Sequence, residues 1–342
     1  MTKISTEDLQ HILTHTESLW DEIKQNRIFI TGGTGFFGCW LLESFTYIVD
    51  QLNLSAKAVI LTRNPDNFQQ KCPHLFNHPA LEFYQGDICS FVFPQGEFSH
   101  FIHAGTSTNA KLYQDNHLGI FNEIIEGTKK TLEFARVSGV KKYLFTSSGA
   151  VYGQQPDTMS HIPETYSGSP DPCDMGSSYG EGKRVSELLC TLYSQQYGIE
   201  TKIARCFAFV GPHLPIDLHF AIGNFIRDAM ERKTIEVKGN GTPLRSYLYA
   251  SDLMIWLWTI LFKGESCTAY NVGSDQAICI KDLAELIGKM YGVKVNIQQI
   301  PKLDQSPNRY VPSINRTLSL LENKTIVDIT EAIQKTFVWY ET

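Results

Sequence analysis

The chain has eight cysteines but no CxxC pair and no Cys/His grouping at metal-ligand spacing, which argues against a zinc site and against a disulfide framework. Cys39, Cys72, Cys89, Cys173, Cys190, Cys206, Cys267 and Cys279 are scattered, as expected of a protein kept in a reducing compartment. A basic run is also missing. The 30 Lys+Arg stand against 36 Asp+Glu, and the net charge of -6 is spread along the chain, so nothing can neutralise a row of phosphates. No nucleic-acid partner is expected. Long apolar stretches are absent too: Leu253 to Phe262 (LMIWLWTILF) is too short to span a bilayer and reads as a buried helix. The opening residues carry Glu7, Asp8, Asp21 and Glu22 and no continuous apolar segment, which argues against a secretory leader. The expectation is a cytoplasmic protein without membrane or metal, and the sequence shows no internal repeat or low-complexity tract.

What is present is enough apolar material for a large core. With 342 residues and 42% hydrophobic residues, one large domain plus a smaller lobe is expected. Residues 5–24 read as an amphipathic helix, capped by Ser5 or Thr6, with Leu9, Ile12, Leu13, Trp20 and Ile23 on one face; it reads as an accessory extension. From Arg27 the pattern becomes short β-rich runs (27–31, 57–62, 81–85, 99–104, 141–147) separated by helical periodicity near 36–50, 117–138 and 178–197. The runs are apolar enough to be covered on both faces, so a doubly wound parallel α/β sheet of the Rossmann type is expected over 27–207. Beyond it, Pro-, Gly- and His-rich segments alternate with helices near 221–232, 252–263 and 281–290. This predicts a smaller α/β substrate-binding lobe over 208–342, partly threaded back into the larger domain, with 1–26 as the N-terminal extension.

Chemistry enters directly after the first strand, in Thr31-Gly32-Gly33-Thr34-Gly35-Phe36-Phe37-Gly38. Glycines at 32, 35 and 38 permit a tight turn, close approach of backbone to a pyrophosphate, and close helix-on-sheet packing, with free helix N–H groups facing the anion. At the end of the second strand, where NAD enzymes commonly place an acid on the ribose, the chain has Arg63. A guanidinium there suits a 2′-phosphate, favouring NADP over NAD; the alternative is a solvated surface arginine. Asp87 in Gly86-Asp87-Ile88 offers a carboxylate to the adenine amino group, or is an ordinary turn residue.

Tyr179-Gly180-Glu181-Gly182-Lys183 sets a phenol and an ammonium four residues apart on one helix face, where a cation lowers the cost of ionising the phenol. Ser147-Ser148-Gly149-Ala150-Val151-Tyr152-Gly153 falls just past the fifth strand, at the carboxyl edge of the sheet where ligands of open α/β sheets bind. Its hydroxyl can polarise the alcohol that the tyrosine deprotonates; the alternative for Ser148 is a loop serine bonded to its own backbone.

Taken in this order, TGGTGFFG, GDI, SSGAVYG and YGEGK resemble the extended short-chain dehydrogenase/reductase family, in its nucleotide-sugar epimerase/dehydratase branch, over residues 27 to about 320. The resemblance implies Tyr179 as base, Lys183 as its electrostatic and ribose-binding partner, and Ser148 as the hydroxyl partner. It places Gly32, Gly35, Phe36, Phe37, Gly38, Asp87, Ile88, Ala104, Gly105, Thr106 and Phe207 at the dinucleotide, with Tyr179 and Lys183. Gly239-Asn240-Gly241 followed by Arg245-Ser246-Tyr247 resembles the family stretch whose arginine holds a nucleoside diphosphate; an ion pair with Asp252 is the alternative. Arg309, Asn224, Gly149 and Ser148 are the further substrate-binding candidates, and a homodimer is expected by analogy.

The sequence departs from the family pattern in three respects. Ile124 stands where an asparagine is common, Arg205-Cys206-Phe207-Ala208 replaces R-x-x-N, and Gly149 and Ala150 occupy the two places where 4,6-dehydratases set an acid/base pair. Neither Gly149 nor Ala150 can titrate, which favours an epimerase or 4-ketoreductase acting at the sugar C4. Dehydration or decarboxylation is the alternative, with Glu164, His161 or Cys173 as substitute groups, and a dinucleotide-sensing protein is the non-enzymatic alternative.

Overall fold

The computed structural model describes residues 2–105, 116–218, 220–300, 306–322, 324 and 326–342. Its strands in chain order begin with β1 (Arg27–Thr31), β2 (Lys57–Thr62), β3 (Leu81–Gln85), β4 (His100–His103), β5 (Lys142–Ser148), β6 (Glu200–Cys206) and β7 (Phe209–Val210). They continue with β8 (Ile235–Val237), β9 (Leu244–Arg245), β10 (Leu248–Tyr249), β11 (Thr268–Val272), β12 (Ile278–Cys279), β13 (Val295–Ile297) and β14 (Arg309–Tyr310).

Seven of these form one sheet in the order β11-β6-β5-β4-β1-β2-β3, every neighbouring pair parallel. This is the doubly wound Rossmann arrangement, and the strand order reverses between β1 and β4. Alternation explains the two layers. Ile28 and Ile30 point into the larger core, whereas Phe29 between them packs with Phe91, Phe98, Phe101 and Phe134 on the other face. The helices Phe36–Gln51, His117–Val137 and Ser178–Tyr197 lie where 3.6-residue periodicity places them. The apolar run 253–262 is buried within the helix Ala250–Lys263.

The N-terminal segment differs from the expected single helix. An α-helix, Thr6–Thr16, capped by Ser5 accepting from Asp8 N, gives way to a 3₁₀ turn, Glu17–Ile23. At Thr16 the backbone leaves helical geometry (φ -127°), and its hydroxyl donates to the Ile12 carbonyl while accepting from Trp20 Nε1 at 3.0 Å. That swings Trp20 edge-on to Trp258 at 4.9 Å, in the main core. Asp8 then accepts from Tyr249 and Lys335, tying the segment to the C-terminal helix Ile329–Glu341. The segment is therefore built into the core rather than attached to it.

After β6 the chain makes small units: a parallel β7/β10 pair, a parallel β8/β13 pair, and a three-stranded sheet in the order β12-β9-β14. β11 returns to the edge of the large sheet beside β6. Among the described residues no helix is long and apolar enough to cross a membrane.

Candidate active site

The glycine loop leaves β1 at the reversal point of the sheet. Gly32 has φ +74°, and a Cβ there would stand 2.3 Å from the Ala104 carbonyl oxygen, so the loop closes on Ala104 and Gly105 only without a side chain. Thr31 Oγ1 completes the seam by accepting from Gly105 N at 3.1 Å. Gly38 is needed for another reason: a Cβ would lie 2.2 Å from the Gly33 carbonyl carbon, where the helix Phe36–Gln51 crosses the loop. Gly35 caps that helix without a side-chain hydrogen bond, and a Cβ on it would meet nothing closer than Gly32 O at 3.6 Å. Internal packing therefore does not demand glycine at 35; open space above an uncapped helix N-terminus fits the pyrophosphate of a dinucleotide. Phe36 and Phe37 pack edge to face, and Phe37 rests on Phe209, which fixes the first helical turn.

Arg63 is exposed just past β2, with no ion pair among the described residues. Asp87 is exposed and accepts from Cys89 N at 2.9 Å, so it closes its own turn and keeps a second oxygen available. Ile88 packs beneath Gly105 and Gly127. Thr106 lies outside the described residues.

At the carboxyl edge, β5 ends at Ser148 and the helix Ser178–Tyr197 lays Tyr179 and Lys183 beside it. Lys183 is buried, donates to the Thr146 carbonyl at 2.8 Å and lies 4.7 Å over the Phe145 ring. Burial pushes its ammonium down to about 8, partly offset by Cys206 and Glu187. Burial pushes the Tyr179 phenol up to about 12, opposed by its contact with Ser148. Ser148 Oγ also accepts from Ala150 N at 3.1 Å, so the backbone-bonded and the phenol-facing readings of this serine hold together. Tyr179 keeps part of its surface open, which leaves the trio one accessible side.

The wall opposite that trio was not legible as part of the site. Phe207, expected at the dinucleotide, packs against Tyr310 with ring centroids 4.6 Å apart and the planes tilted by 37°. A Cβ on Gly149 would stand 2.6 Å from the Tyr310 hydroxyl and 2.8 Å from the Phe207 ring. Tyr310 contacts Ser148 as well, and burial pushes its phenol well above the ordinary tyrosine range. Its only sequence signal is its place next to Arg309.

Arg245 is the register partner of Tyr310 across β9 and β14. The expected alternative, an ion pair with Asp252, is not formed: Asp252 faces His11 and accepts from Val327 N. Arg245 donates instead to the carbonyls of Leu244 and Asn308 and forms no ion pair among the described residues. Arg309 precedes Tyr310 on β14, opposite Leu244. Asn224 lies in the helix Ala221–Met230, where its Oδ1 accepts from Arg227, and it makes no hydrogen bond to the trio.

The departures from the family pattern have structural explanations. Arg205 is clamped bidentately to Glu187 at 3.0 and 2.7 Å, and Glu187 also accepts from Ser147. A Cβ on Gly182 would stand 3.3 Å from Ile124 Cδ1, so Ile124 lies over the glycine of the facing long helix and an apolar side chain replaces a polar group there. Glu164 accepts from Asn271 N, and His161 pairs with the Asp275 carbonyl, so both substitutes for a missing acid/base pair hold other partners; Cys173 is exposed.

A parallel sheet with a glycine turn at its reversal point, and with a hydroxyl, a phenol and an ammonium gathered at its carboxyl edge, defines a Rossmann-type α/β protein. The chain belongs to the NAD dependent epimerase/dehydratase family, whose sequence profile matches residues 28–273. It is 29% identical over 314 residues to UDP-glucuronic acid decarboxylase 6 of Arabidopsis thaliana, covering 90% of this chain and 86% of the relative. It is 27% identical over 323 residues to UDP-glucuronic acid decarboxylase 1 of Danio rerio, covering 93% and 73%. A UDP-N-acetylglucosamine 4-epimerase from Methanobrevibacter ruminantium superposes with TM-score 0.78 at 20% identity, over 93% of this chain and 99% of that one. The dTDP-glucose 4,6-dehydratase DesIV of Streptomyces venezuelae, solved with NAD bound, superposes with TM-score 0.77 at 20% identity, over 92% and 97%.

Proposed function

We propose that this protein is an NAD(P)-dependent enzyme that exchanges hydride at C4 of a nucleoside-diphosphate sugar, as an epimerase or a 4-ketoreductase. The observation that supports this most is Ser148 at the end of β5 in contact with the Tyr179 phenol, with the buried Lys183 ammonium one helical turn away. In this reading the loop of Gly32, Gly35 and Gly38 holds the pyrophosphate and Lys183 the nicotinamide ribose. Arg63, exposed and without an ion pair among the described residues, faces the adenosine ribose and favours the 2′-phosphate of NADP. Bound in that cleft, the oxidised dinucleotide supplies a hydride acceptor and a positive charge. Tyr179 takes the C4 hydroxyl proton, Ser148 holds that oxygen in line, and Lys183 lowers the cost of the phenolate. Arg245 binds the diphosphate, with Arg309 and Asn224 as further contacts to the nucleotide.

Elimination of water across C5 and C6 needs a base for the C5 proton and an acid for the departing hydroxide, and the glycine and alanine at 149 and 150 offer neither. Decarboxylation is the second reading, favoured by the names of the curated relatives. Once C4 is a ketone, a C6 carboxylate is β to it and leaves as carbon dioxide without a base at C5, so Gly149 and Ala150 do not bar that route. Incubation with UDP- and dTDP-hexoses, their 4-keto-6-deoxy forms and a UDP-hexuronate, with and without NADPH, separates the outcomes by mass and proton NMR. Inversion or reduction at C4 is expected. A product lacking one water from a 6-hydroxylated sugar would overturn the C4-only reading, and loss of carbon dioxide would select the second.

A homodimer completes this reading. The two long helices His117–Val137 and Ser178–Tyr197 pack together and leave Leu118, Val137, Leu188 and Leu192 exposed, a surface suited to a second copy.

A further inference from the structure

The Ser148 hydroxyl is in contact with two phenols, Tyr179 on the helix Ser178–Tyr197 and Tyr310 on β14. Tyr310 is held firmly at this point. Its strand pairs with β9 on one side. On the other, Val311 N donates to Gln155 Oε1 at 3.0 Å, and Ile162 N donates to Val311 O at 2.9 Å. A tilted contact with the Phe207 ring holds the ring in place. The hydroxyl fits only because residue 149 is glycine, since a Cβ there would stand 2.6 Å from it. Two oddities of this sequence, a glycine beside the catalytic hydroxyl and a tyrosine next to Arg309, are thus one spatial feature.

We propose that Tyr310 is a positioning residue for Ser148: admitted by Gly149, its phenol directs the serine proton toward Tyr179 and links that orientation to the strand pair that carries Arg245. The inference rests on the C4 reading above. A serine hydroxyl has one proton and two lone pairs. Ala150 N already occupies one lone pair at 3.1 Å. When Tyr310 donates to the other, the single serine proton is left for Tyr179, which is the arrangement that stabilises a Tyr179 phenolate. Burial keeps Tyr310 in its protonated, donating form. Because Tyr310 and Arg245 are register partners, a nucleoside diphosphate seated on Arg245 holds the strand that aims the phenol. The titratable and charged groups facing Tyr310 are Arg245 on β9, Tyr179 across Ser148, and Cys206 at the end of β6; Arg309 is its chain neighbour.

The test uses full-length Tyr310→Phe, which keeps the ring on Phe207 and removes only the hydroxyl. Loss of one such hydrogen bond should lower kcat roughly tenfold while KM for the nucleotide sugar stays within about twofold. In protein labelled at the tyrosine ζ carbon and free of sugar, the Tyr179 resonance, assigned with Tyr179→Phe, should titrate at higher pH than in wild type. Gly149→Ala should reproduce the kcat loss, and Gly149→Ala/Tyr310→Phe should be no slower than Gly149→Ala alone, because both act through one hydroxyl. A Tyr179 titration that does not move in Tyr310→Phe overturns the inference, whatever happens to kcat, since a purely structural loss would leave it unchanged. Additive losses in the double variant also overturn it. The titration needs no turnover, so a protein inactive on every nucleotide sugar but showing the shift would refute the C4 reading while leaving the role of Tyr310 standing.

Discussion

At the level of single residues, the phenol of Tyr179 is held protonated by burial, with a pKa near 12, so the protein by itself disfavours the form that accepts a proton. Positive charge at the site, from Lys183 and from an oxidised dinucleotide, must shift that balance in the loaded enzyme. Tyr179→Phe should therefore keep the fold and dinucleotide affinity while turnover falls about 100-fold to 10,000-fold, the usual range for a lost acid/base group. Wild-type turnover in that variant would remove Tyr179 from the mechanism. Among the described residues the Arg63 side chain holds no ion pair that would confuse its test. Arg63→Ala should weaken NADPH by about 1.5–3 kcal/mol, as for one charge-assisted contact, and NADH far less. Calorimetry showing equal weakening of both cofactors would leave Arg63 a surface residue.

Among the elements, the loop and helix following β1 show why sequence patterns succeed at some glycines and mislead at others. Gly32 and Gly38 are demanded by packing inside the protein, whereas Gly35 is not. Gly38→Ala should destabilise the domain by about 1–3 kcal/mol through overpacking of helix against loop, read as a lower urea midpoint. Gly35→Ala should leave the midpoint near wild type and reduce dinucleotide affinity instead; equal loss of stability in both would contradict this division. The β-rich runs at 27–31 and 57–62 match β1 and β2 because a strand covered on both faces writes itself as a continuous apolar run, whereas the run at 81–85 matches the partly exposed edge strand β3. The two-residue strands β7, β9, β10, β12 and β14 have no such pattern, since they are held by neighbours distant in sequence. Tyr310 lies on one of them.

For the whole molecule, buried histidines set the response to acid. Burial lowers His100 and His213 from an ordinary 6.5 to about 4, with the Glu22 carboxylate opposing at His100 and the His74 charge adding at His213. Between those limits the unfolded chain binds protons that the folded one refuses, so stability falls as pH drops below about 6.5 toward 4, by up to about 1.4 kcal/mol per pH unit for each group. Among the described residues neither His213 nitrogen has a hydrogen-bond partner, and the ring packs on Trp339 at 4.5 Å. His213→Phe should keep that contact and flatten the slope of melting temperature between pH 7 and pH 5, as read by calorimetry. An unchanged slope would assign the acid sensitivity elsewhere. Light scattering at micromolar concentration should give twice the 38.7 kDa chain mass, and Leu188→Glu with Leu192→Glu should restore the single value. A monomer in the wild type would exclude the dimer.

Local rules were sufficient for five of the seven strands of the large sheet, the glycine loop and the order of the four motifs, because each is written within a few residues: periodicity of two or 3.6, glycines at a turn, a phenol and an ammonium one helical turn apart; β6 and β11 were not among the runs read from the sequence. The sequence alone thereby determined the family and the Rossmann fold. Contacts between distant segments decided the rest. Trp20 became core through Trp258, Arg205 became a structural ion pair through Glu187, and Asp252 was drawn to His11 and away from Arg245. Tyr310 reached Ser148 across a separation of 162 positions because a short strand paired with β9 and bonded to Gln155 and Ile162, and no periodicity along the chain records such a meeting.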